Sequence, residues 1–371
     1  MFKCDNTYLE ELQQLSVSVT AKYGMTSEAA DREIMYLAGE GNKAAKKAYA
    51  DLIFYRKIEV PKCYEKAFLL YLQAADIETE EKEGLVCKNS GVPQAFAMLG
   101  YYFYNYKRDG HLKSCEVIPQ IDTLIGEDAA KRIRYSLALS ASCLIYEKVP
   151  AAINLLGRIL DEVSQSEELF EALKEDLNSS IFDAQFSELP RLEAKITSLE
   201  DCAAAGAFFY NEAAKCGYVY ACNNLASREA DKICELTGSE IDGGKSENEA
   251  VREPSCEVKK HIENYVSYLK MSAEKFEPYA ANRLGLFYIS GEIRSARLDK
   301  KYNFRGYCDS ATAKKYFVTA TMYPNKNSAW AYYNLLKHYP KDYNMNIDLM
   351  NEHMDCIKRL DPKVYDLAIE E

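Results

Sequence analysis

Asparagine side chains occur just before a leucine at several points in this chain, and such side chains can bind a peptide backbone. Four of them precede a leucine by one or two residues: Asn223, Asn224, Asn282 and Asn334. A carboxamide carries an acceptor oxygen and two donor hydrogens, so it can hold both the N–H and the C=O of an extended peptide. Arg283 lies next to Asn282 and adds a cation. We interpret these five side chains as contacts to a protein or peptide partner. The alternative is that the asparagines join neighbouring helices.

A run of aromatic residues is the second candidate. Residues 101–106 read Tyr-Tyr-Phe-Tyr-Asn-Tyr, and rings at successive positions cannot all face one core. Tyrosine is favoured at recognition surfaces, so Tyr102 joins the predicted partner-binding set. The alternative is that these tyrosines act as amphipathic spacers between layers of a helical array.

No residue set in the chain specifies a reaction or a metal site. The four histidines, none paired at ligand spacing, are His111, His261, His338 and His353. Cys256 and His261 are too few for zinc, and C-x-x-C is absent. The G-x-S-x-G motif, the phosphate-binding glycine loop and the dinucleotide fingerprint are absent as well. The sequence therefore predicts no catalytic, metal-binding or cofactor-binding residue, and no enzyme.

The elements that must position these side chains recur along the chain. Four segments close a helix with an aromatic residue followed by small residues: 71–75, 210–214, 268–273 and 316–320. Four others open the next helix with an alanine-rich run that ends in leucine: 95–99, 221–225, 280–284 and 331–335. Small residues let two helices approach closely, and the large apolar residues fill the space beside them. A single helix pair leaves an apolar face exposed, which stacking of neighbouring pairs buries.

These segments resemble the Sel-one-like repeats, which are relatives of the tetratricopeptide repeats. Five residues match the first half of the family pattern in register: Ala280, Leu284, Gly285, Tyr288 and Gly291. Four match the second half: Ala67, Tyr71, Ala74 and Ala75. The resemblance is clear near 48–75 and 262–292 and partial near 95–105, 203–226 and 311–336. It implies an all-α fold, an α/α superhelix (solenoid) of antiparallel helix pairs whose first helices line a concave face.

The predicted organisation is one solenoid over residues 1–371. Capping helices are predicted at residues 1–40 and at residues 341–371. Repeats are predicted at 41–126, with an insertion at 78–90, and at 201–340, with a mobile loop at 237–258 and an insertion at 292–309. Residues 127–200 between them are predicted to form divergent helix pairs or a separate central subdomain. Ser27 is a predicted N-cap, and Asp361 followed by Pro362 predicts the start of a final helix.

Composition narrows the choice of partner. The 46 basic and 57 acidic residues give a net charge of −11, which disfavours nucleic acid and anionic membranes. With 10 prolines and 17 glycines the chain has few turn formers, as a helical protein requires. From its first residues we expect no secretory signal, and no run of about 18 apolar residues occurs in the given sequence. The 12 cysteines are scattered like small buried side chains, so we expect a reduced, cytoplasmic protein.

The sequence thus predicts a non-catalytic scaffold or adaptor that holds a peptide or a partner helix in the concave groove. If so, Asn282→Ala combined with Asn334→Ala weakens partner binding and leaves the thermal midpoint nearly unchanged. One alternative is a ligand-responsive cytosolic peptide sensor, which solution scattering reveals as a compaction on ligand addition. A second alternative is a hydrolase that uses residues 127–199, which would show turnover on a panel of esters and peptides.

Overall fold

The computed structural model describes residues 7–16, 28–55, 60–80, 84–88, 91–108, 112, 117–241, 253–343 and 346–370. Within these ranges the chain is mostly helical, and neighbouring helices pack against each other. The strands in the same ranges form two short hairpins. The predicted all-α class is confirmed in this general form, and the hairpins are a feature that the sequence analysis missed.

The chain divides into two compact units, residues 1–216 and residues 217–371. The helices of the first unit are α1 (Thr7–Ser16), α2 (Glu28–Gly39), α3 (Lys43–Phe54), α4 (Cys63–Ala75), α5 (Pro93–Asn105), α6 (Pro119–Ile125), α7 (Ala129–Tyr146), α8 (Pro150–Val163), α9 (Glu167–Leu177) and α10 (Leu199–Lys215). Strands β1 (Ile77–Glu80) and β2 (Gly84–Cys87) lie between α4 and α5 and pair antiparallel, with Ile77 opposite Cys87.

Local sequence explains where several of these helices begin. Helices α5, α6 and α8 start with proline, whose missing N–H is not needed in the first turn. The Asn42 side chain accepts a hydrogen bond from the Ala45 N–H at the start of α3. Ser198 and Asp201 form a reciprocal capping box at the start of α10.

The helices of the first unit pack in pairs, α3 with α4, α5 with α7 and α8 with α10. A glycine marks the closest approach in two of these pairs. A Cβ at Gly100 would lie 2.7 Å from the Ser140 hydroxyl of α7, and one at Gly157 would lie 2.6 Å from the Tyr210 ring of α10. The crossing is therefore so close that only glycine fits without a shift of the partner helix.

Helix α8 carries a copy of the alanine–leucine–glycine pattern that the sequence analysis missed. Residues 152–157 read Ala-Ile-Asn-Leu-Leu-Gly, which aligns with Ala-Ala-Asn-Arg-Leu-Gly at 280–285. Both glycines lie against an aromatic ring of the partner helix in their pair, Gly157 against Tyr210 and Gly285 against Phe317. The region 127–200 was predicted as divergent helix pairs or as a separate subdomain. In the structure α7 pairs with α5, which lies outside that region, and α8 pairs with α10, which begins at its edge.

The helices of the second unit are α11 (Val219–Ile241), α12 (Cys256–Ala273), α13 (Pro278–Ser290), α14 (Ser310–Thr321), α15 (Ser328–His338), α16 (Ile347–Leu360) and α17 (Pro362–Glu370). They pack in the pairs α11 with α12, α13 with α14 and α15 with α16. The last helix begins at Pro362, the position that the sequence predicts. The core of this unit joins buried side chains of α11, α12 and α13 to Phe304 and Ile293.

Strands β3 (Glu292–Ser295) and β4 (Lys300–Asn303) form the second hairpin, directly after α13. They pair antiparallel with Ile293 opposite Tyr302, and both of these side chains are buried. The hairpin occupies the predicted insertion at 292–309, just as β1 and β2 occupy part of the insertion at 78–90. Each insertion therefore adds an ordered hairpin beside a helix pair.

In α12 and α14 the buried residue lies one position after the tyrosine that was predicted to be buried. The buried side chains are Leu269 and Phe317, whereas Tyr268 and Tyr316 are partly exposed. One residue turns a helix by about 100°, so this shift moves a side chain from the core to its edge. Tyr71 and Tyr210 occupy the buried position in α4 and α10.

Three predictions fall on parts of the chain outside the described residues. They are the N-cap at Ser27, the histidine at position 111, and the 242–252 portion of the predicted mobile loop. The described parts of that loop belong to the end of α11, to a non-helical stretch at 253–255 and to the start of α12.

Candidate functional site

A small polar pocket in the second unit brings together two of the predicted residues, Asn223 and Arg283. Its volume is about 70 Å³, and its walls come from α11, α12, α13 and strand β3. The pocket lies at the seam between the pair α11–α12 and the first helix of the next pair, α13. We take it as the candidate site because several polar side chains converge there.

Helical spacing explains how each wall is built. Helix α11 contributes Asn223, Ala226, Ser227 and Ala230, which lie on one face at i, i+3, i+4 and i+7. Helices α12 and α13 each contribute two side chains four residues apart, Tyr265 with Leu269 and Tyr279 with Arg283. Because Ala226 and Ala230 are small and almost fully buried, the space is left open between the helices.

Two buried polar atoms of residues that line this pocket have no geometric hydrogen bond to any described residue. They are the Asn223 Oδ1 and the Tyr265 hydroxyl oxygen. A buried polar atom without a partner costs about 1–3 kcal/mol, so such atoms need an explanation. Because the residues that carry both atoms line the same pocket, we infer that the pocket holds a polar group or water.

The orientation of the Asn223 carboxamide follows from its neighbour. Its Nδ2 donates to Glu277 Oε2 at 3.1 Å, and the same oxygen accepts from the Ala280 N–H at 2.7 Å as the N-cap of α13. Turning the amide over would set its oxygen against the carboxylate, so the network leaves the oxygen as the atom without a partner among the described residues. Asn223 is therefore a pocket-lining side chain with an unused acceptor.

Arg283 supplies the cation of the pocket, and its charge is partly balanced. Its guanidinium donates to the Arg294 carbonyl oxygen at 3.2 Å and lies 3.6 Å from Glu292 Oε1. Burial lowers the pKa of Arg283, but Tyr265, Tyr279 and Glu292 outweigh burial and raise it above its ordinary value. Arg283 thus stays protonated and acts only as a donor.

The Tyr265 phenol stays protonated as well. Burial raises its pKa above the ordinary value, and the nearby Arg283 guanidinium offsets part of that rise. The ring is 2% exposed and makes an edge contact with Phe287. The hydroxyl is therefore a fixed group that can donate or accept one hydrogen bond inside the pocket.

The hairpin that forms one wall is held on α11 by charged contacts. The buried Ser295 hydroxyl donates to Asp231 Oδ1 at 2.5 Å, and Arg297 Nε donates to Asp231 Oδ2 at 2.7 Å. Arg297 also reaches Glu235 at 2.6 Å. These bonds position Arg294 and its carbonyl oxygen against Arg283.

Asn282 and Asn334 have a different role from Asn223. Both are buried, and the Asn334 Nδ2 donates to the Asn282 Oδ1 at 2.9 Å, which joins α13 to α15. This geometry favours the alternative that these asparagines connect helices. Asn224 is half-buried and is not part of the pocket wall.

We expect Asn282→Ala and Asn334→Ala each to lower the free energy of unfolding by about 1–3 kcal/mol, because each leaves the other carboxamide buried and unpaired. The double variant removes both partners and is expected to cost less than the sum of the single changes, with a coupling of about 0.5–3 kcal/mol. Urea unfolding followed by circular dichroism measures the four free energies. Strictly additive losses would show that the bond contributes nothing.

Tyr102 requires a correction, because the structure places it inside the core of the first unit. The side chain is fully buried, and its hydroxyl donates to the Tyr64 carbonyl oxygen at 3.0 Å. The rings of Phe54, Phe68 and Tyr71 surround it at centroid distances of 5.3–5.9 Å. Tyr102 therefore acts as a spacer between helices and is removed from the candidate site.

Tyr265, Tyr279 and Arg294 belong to the pocket but were missed by the sequence analysis. Tyr279 and Arg283 are four residues apart on a predicted first helix, which is a signal that sequence inspection could have used. Tyr265 and Arg294 lie on other elements, so only their packing brings them to the pocket.

A larger cleft of about 540 Å³ lies in the first unit, between the β1–β2 hairpin and helices α6 and α7. Its lining includes Lys131, Arg134 and Gln120, whose buried Oε1 has no hydrogen bond within the described residues. None of the predicted site residues lies in it. We therefore treat it as secondary.

The described residues contain no group of three or more His, Cys, Asp or Glu side chains that could hold a metal ion. None of the helices in these ranges combines the length and the apolar character needed to cross a bilayer. A comparison with protein-family models gives no match. A comparison with curated proteins also gives none at a significant level.

Proposed function

We propose that this chain is a non-catalytic interaction scaffold or adaptor of the cytoplasm that binds a peptide or a helix of a protein partner. Within each unit, we propose that the helix pairs follow one another as in a Sel-one-like solenoid, with first helices α11, α13 and α15 forming the binding face. The observation that carries this proposal is the polar pocket between α11 and α13, where buried hydrogen-bonding groups have no partner among the described residues.

The rim of this pocket has the composition of a recognition surface. Tyr279 is 42% exposed at the edge, and Arg283 lies one helical turn further along α13. Tyrosine and arginine are, with tryptophan, the side chains enriched among the residues that contribute most to binding at protein interfaces. The combination supports a peptide or protein partner, for which a large apolar cavity is not needed.

The test is selection of peptides on the full-length chain from a display library, followed by fluorescence anisotropy with the purified peptides. We expect saturable binding with one peptide per chain. Tyr279→Ala should weaken it at least tenfold, because loss of an interface aromatic costs about 2 kcal/mol or more. The matched control is Tyr36→Ala, since Tyr36 is an exposed tyrosine of the first unit. A chain that selects no peptide, or a Tyr279→Ala variant that binds as the control does, would overturn the proposal.

A further inference from the structure

We propose that the pocket between α11, α12 and α13 receives the primary carboxamide of an asparagine or glutamine side chain from the bound partner. This inference rests on the proposed function and specifies what the candidate site recognises. It follows from the hydrogen-bonding groups that the pocket presents, from its charge and from its size.

The first step is the acceptor. Asn223 lines the pocket, and Glu277 accepts from its amide nitrogen, which leaves the buried Oδ1 without a partner among the described residues. A ligand that satisfies this oxygen must bring an N–H or O–H donor. A carboxylate has no hydrogen to donate, and its own oxygens would be repelled by Asn223 Oδ1.

The second step is the pair of donors. The Tyr265 hydroxyl interacts with the Arg283 guanidinium and has no acceptor among the described residues, and both side chains line the pocket. Both can donate to one carbonyl oxygen of a ligand. A primary carboxamide carries an NH₂ and a C=O on the same carbon, so it satisfies Asn223, Tyr265 and Arg283 together.

The third step is charge. Glu292 lies 3.6 Å from Arg283, and Asp299 lies 3.5 Å from Arg294, so both cations of the pocket already have an acidic neighbour. An anionic ligand would compete with Glu292 for the Arg283 guanidinium. A neutral group that donates and accepts leaves this ion pair in place.

The fourth step is size. Pockets for drug-sized ligands are roughly 300–1,000 Å³, whereas this one is about 70 Å³. On this measure a single water needs about 10–15 Å³, so the pocket has room for a few waters or for the end of one side chain. A cofactor or a folded segment is too large, and a terminal carboxamide fits.

The test begins with propionamide and propionate, which isolate the end group from the peptide. Saturation-transfer NMR on the full-length chain measures the dissociation constant of each probe at millimolar concentrations. We expect saturable binding of propionamide, and binding of propionate weaker by about tenfold, since one unmatched buried hydrogen bond costs that factor or more. Absence of saturable propionamide binding shows that the pocket holds water only, and equal binding of propionate shows that it selects no amide. Either result overturns the inference.

Tyr265→Phe is the most informative variant, because it removes only the hydroxyl and keeps the buried ring in the pocket wall. We expect a nearly unchanged thermal midpoint together with propionamide binding weakened about fivefold to tenfold. The matched control is Tyr343→Phe, whose hydroxyl pairs with His353 Nδ1 at 3.0 Å outside the pocket. It should leave propionamide binding unchanged. Asn223→Ala provides a second test, and unchanged propionamide binding in both pocket variants would overturn the inference.

Peptides from the display selection form the second arm. We expect glutamine or asparagine at one position, and a change of that residue to glutamate should weaken binding about tenfold. Peptides that bind but show no such preference would retain the proposed function and overturn this inference. A chain that binds propionamide and selects no peptide would instead overturn the proposed function.

Discussion

Replacing Glu162 by alanine is expected to lower the free energy of unfolding by about 3–5 kcal/mol. Glu162 bridges two arginines, with Oε1 at 2.5 Å from Arg132 and Oε2 at 2.7 Å from Arg108. The Arg132 side chain is 9% exposed and is also bonded to the Tyr104 carbonyl oxygen. The substitution therefore leaves a buried guanidinium without its counter-charge, which is the costly case for a buried ion pair.

The control for this variant is an ion pair of similar length at the surface. Arg134 Nε lies 2.8 Å from Asp176 Oδ2, and both side chains are exposed by more than a third. Asp176→Ala should change the free energy of unfolding by no more than about 1 kcal/mol. Urea unfolding at pH 7 measures both variants. Losses of equal size would show that the burial of Arg132 does not matter.

The effect of Glu162→Ala should depend on pH. Burial alone would raise the pKa of Glu162, but Arg132 and Arg108 outweigh it and hold the pKa below the ordinary value. As the pH falls, this residue takes up a proton in the unfolded chain near pH 4.3 and in the folded chain only at a lower pH. The stabilisation by Glu162 is therefore complete above about pH 4.3 and is lost as the pH falls through the lower folded pKa. A difference between wild type and variant that grows on acidification would contradict this assignment.

Gly291→Ala is the second change with a large expected effect, a loss of about 2–5 kcal/mol. Gly291 ends α13 with φ +73°, a conformation that costs a residue with a side chain about 1–2 kcal/mol. A Cβ there would also lie 2.6 Å from the Phe304 nitrogen, and overpacking against rigid backbone costs about 1–3 kcal/mol more. The change should loosen the β3–β4 hairpin, which hydrogen exchange of its amides would detect.

Gly126→Ala separates the two contributions. Gly126 follows α6 with φ +53°, but no atom lies within 4 Å of the position that its Cβ would take. Its ψ of −126° differs from the +15° of Gly291, so its backbone cost is separate, and we expect a loss of about 1–3 kcal/mol from backbone strain alone. If Gly291→Ala loses no more than the roughly 1–2 kcal/mol of its left-handed conformation, the contact with Phe304 is not what requires glycine.

The helix pairs could be predicted because their signal is local. Alanine, leucine and glycine recur at helical spacing in α13, and the same order occurs in α8, within the region predicted as divergent helix pairs. The register of the second helices was less certain, since a neighbouring aromatic such as Tyr268 looks equivalent to the buried Leu269. Which of two adjacent apolar residues faces the core depends on the partner helix, and the sequence does not contain that orientation.

The hairpins were missed because each strand is only four residues long. In β3 the buried Ile293 and Ser295 alternate with Glu292 and Arg294, which is a strand pattern too short to separate from a polar loop. The hairpin is held by Ser295 and Arg297 on Asp231, more than 60 residues earlier in the chain. Contacts at that sequence separation are not visible in local composition.

The sequence by itself determined the helical class and the repeated small-and-large pattern, because both arise from side chains a few residues apart on one helix. It also placed Asn223 and Arg283 at corresponding parts of successive first helices. Tertiary structure alone decided which polar groups are satisfied. Glu277 accepts from the Asn223 nitrogen and leaves the Asn223 oxygen without a partner among the described residues, whereas the Asn334 amide donates to the Asn282 oxygen. Hydrogen-bond satisfaction depends on three-dimensional neighbours, so residues of one type at similar positions have different roles.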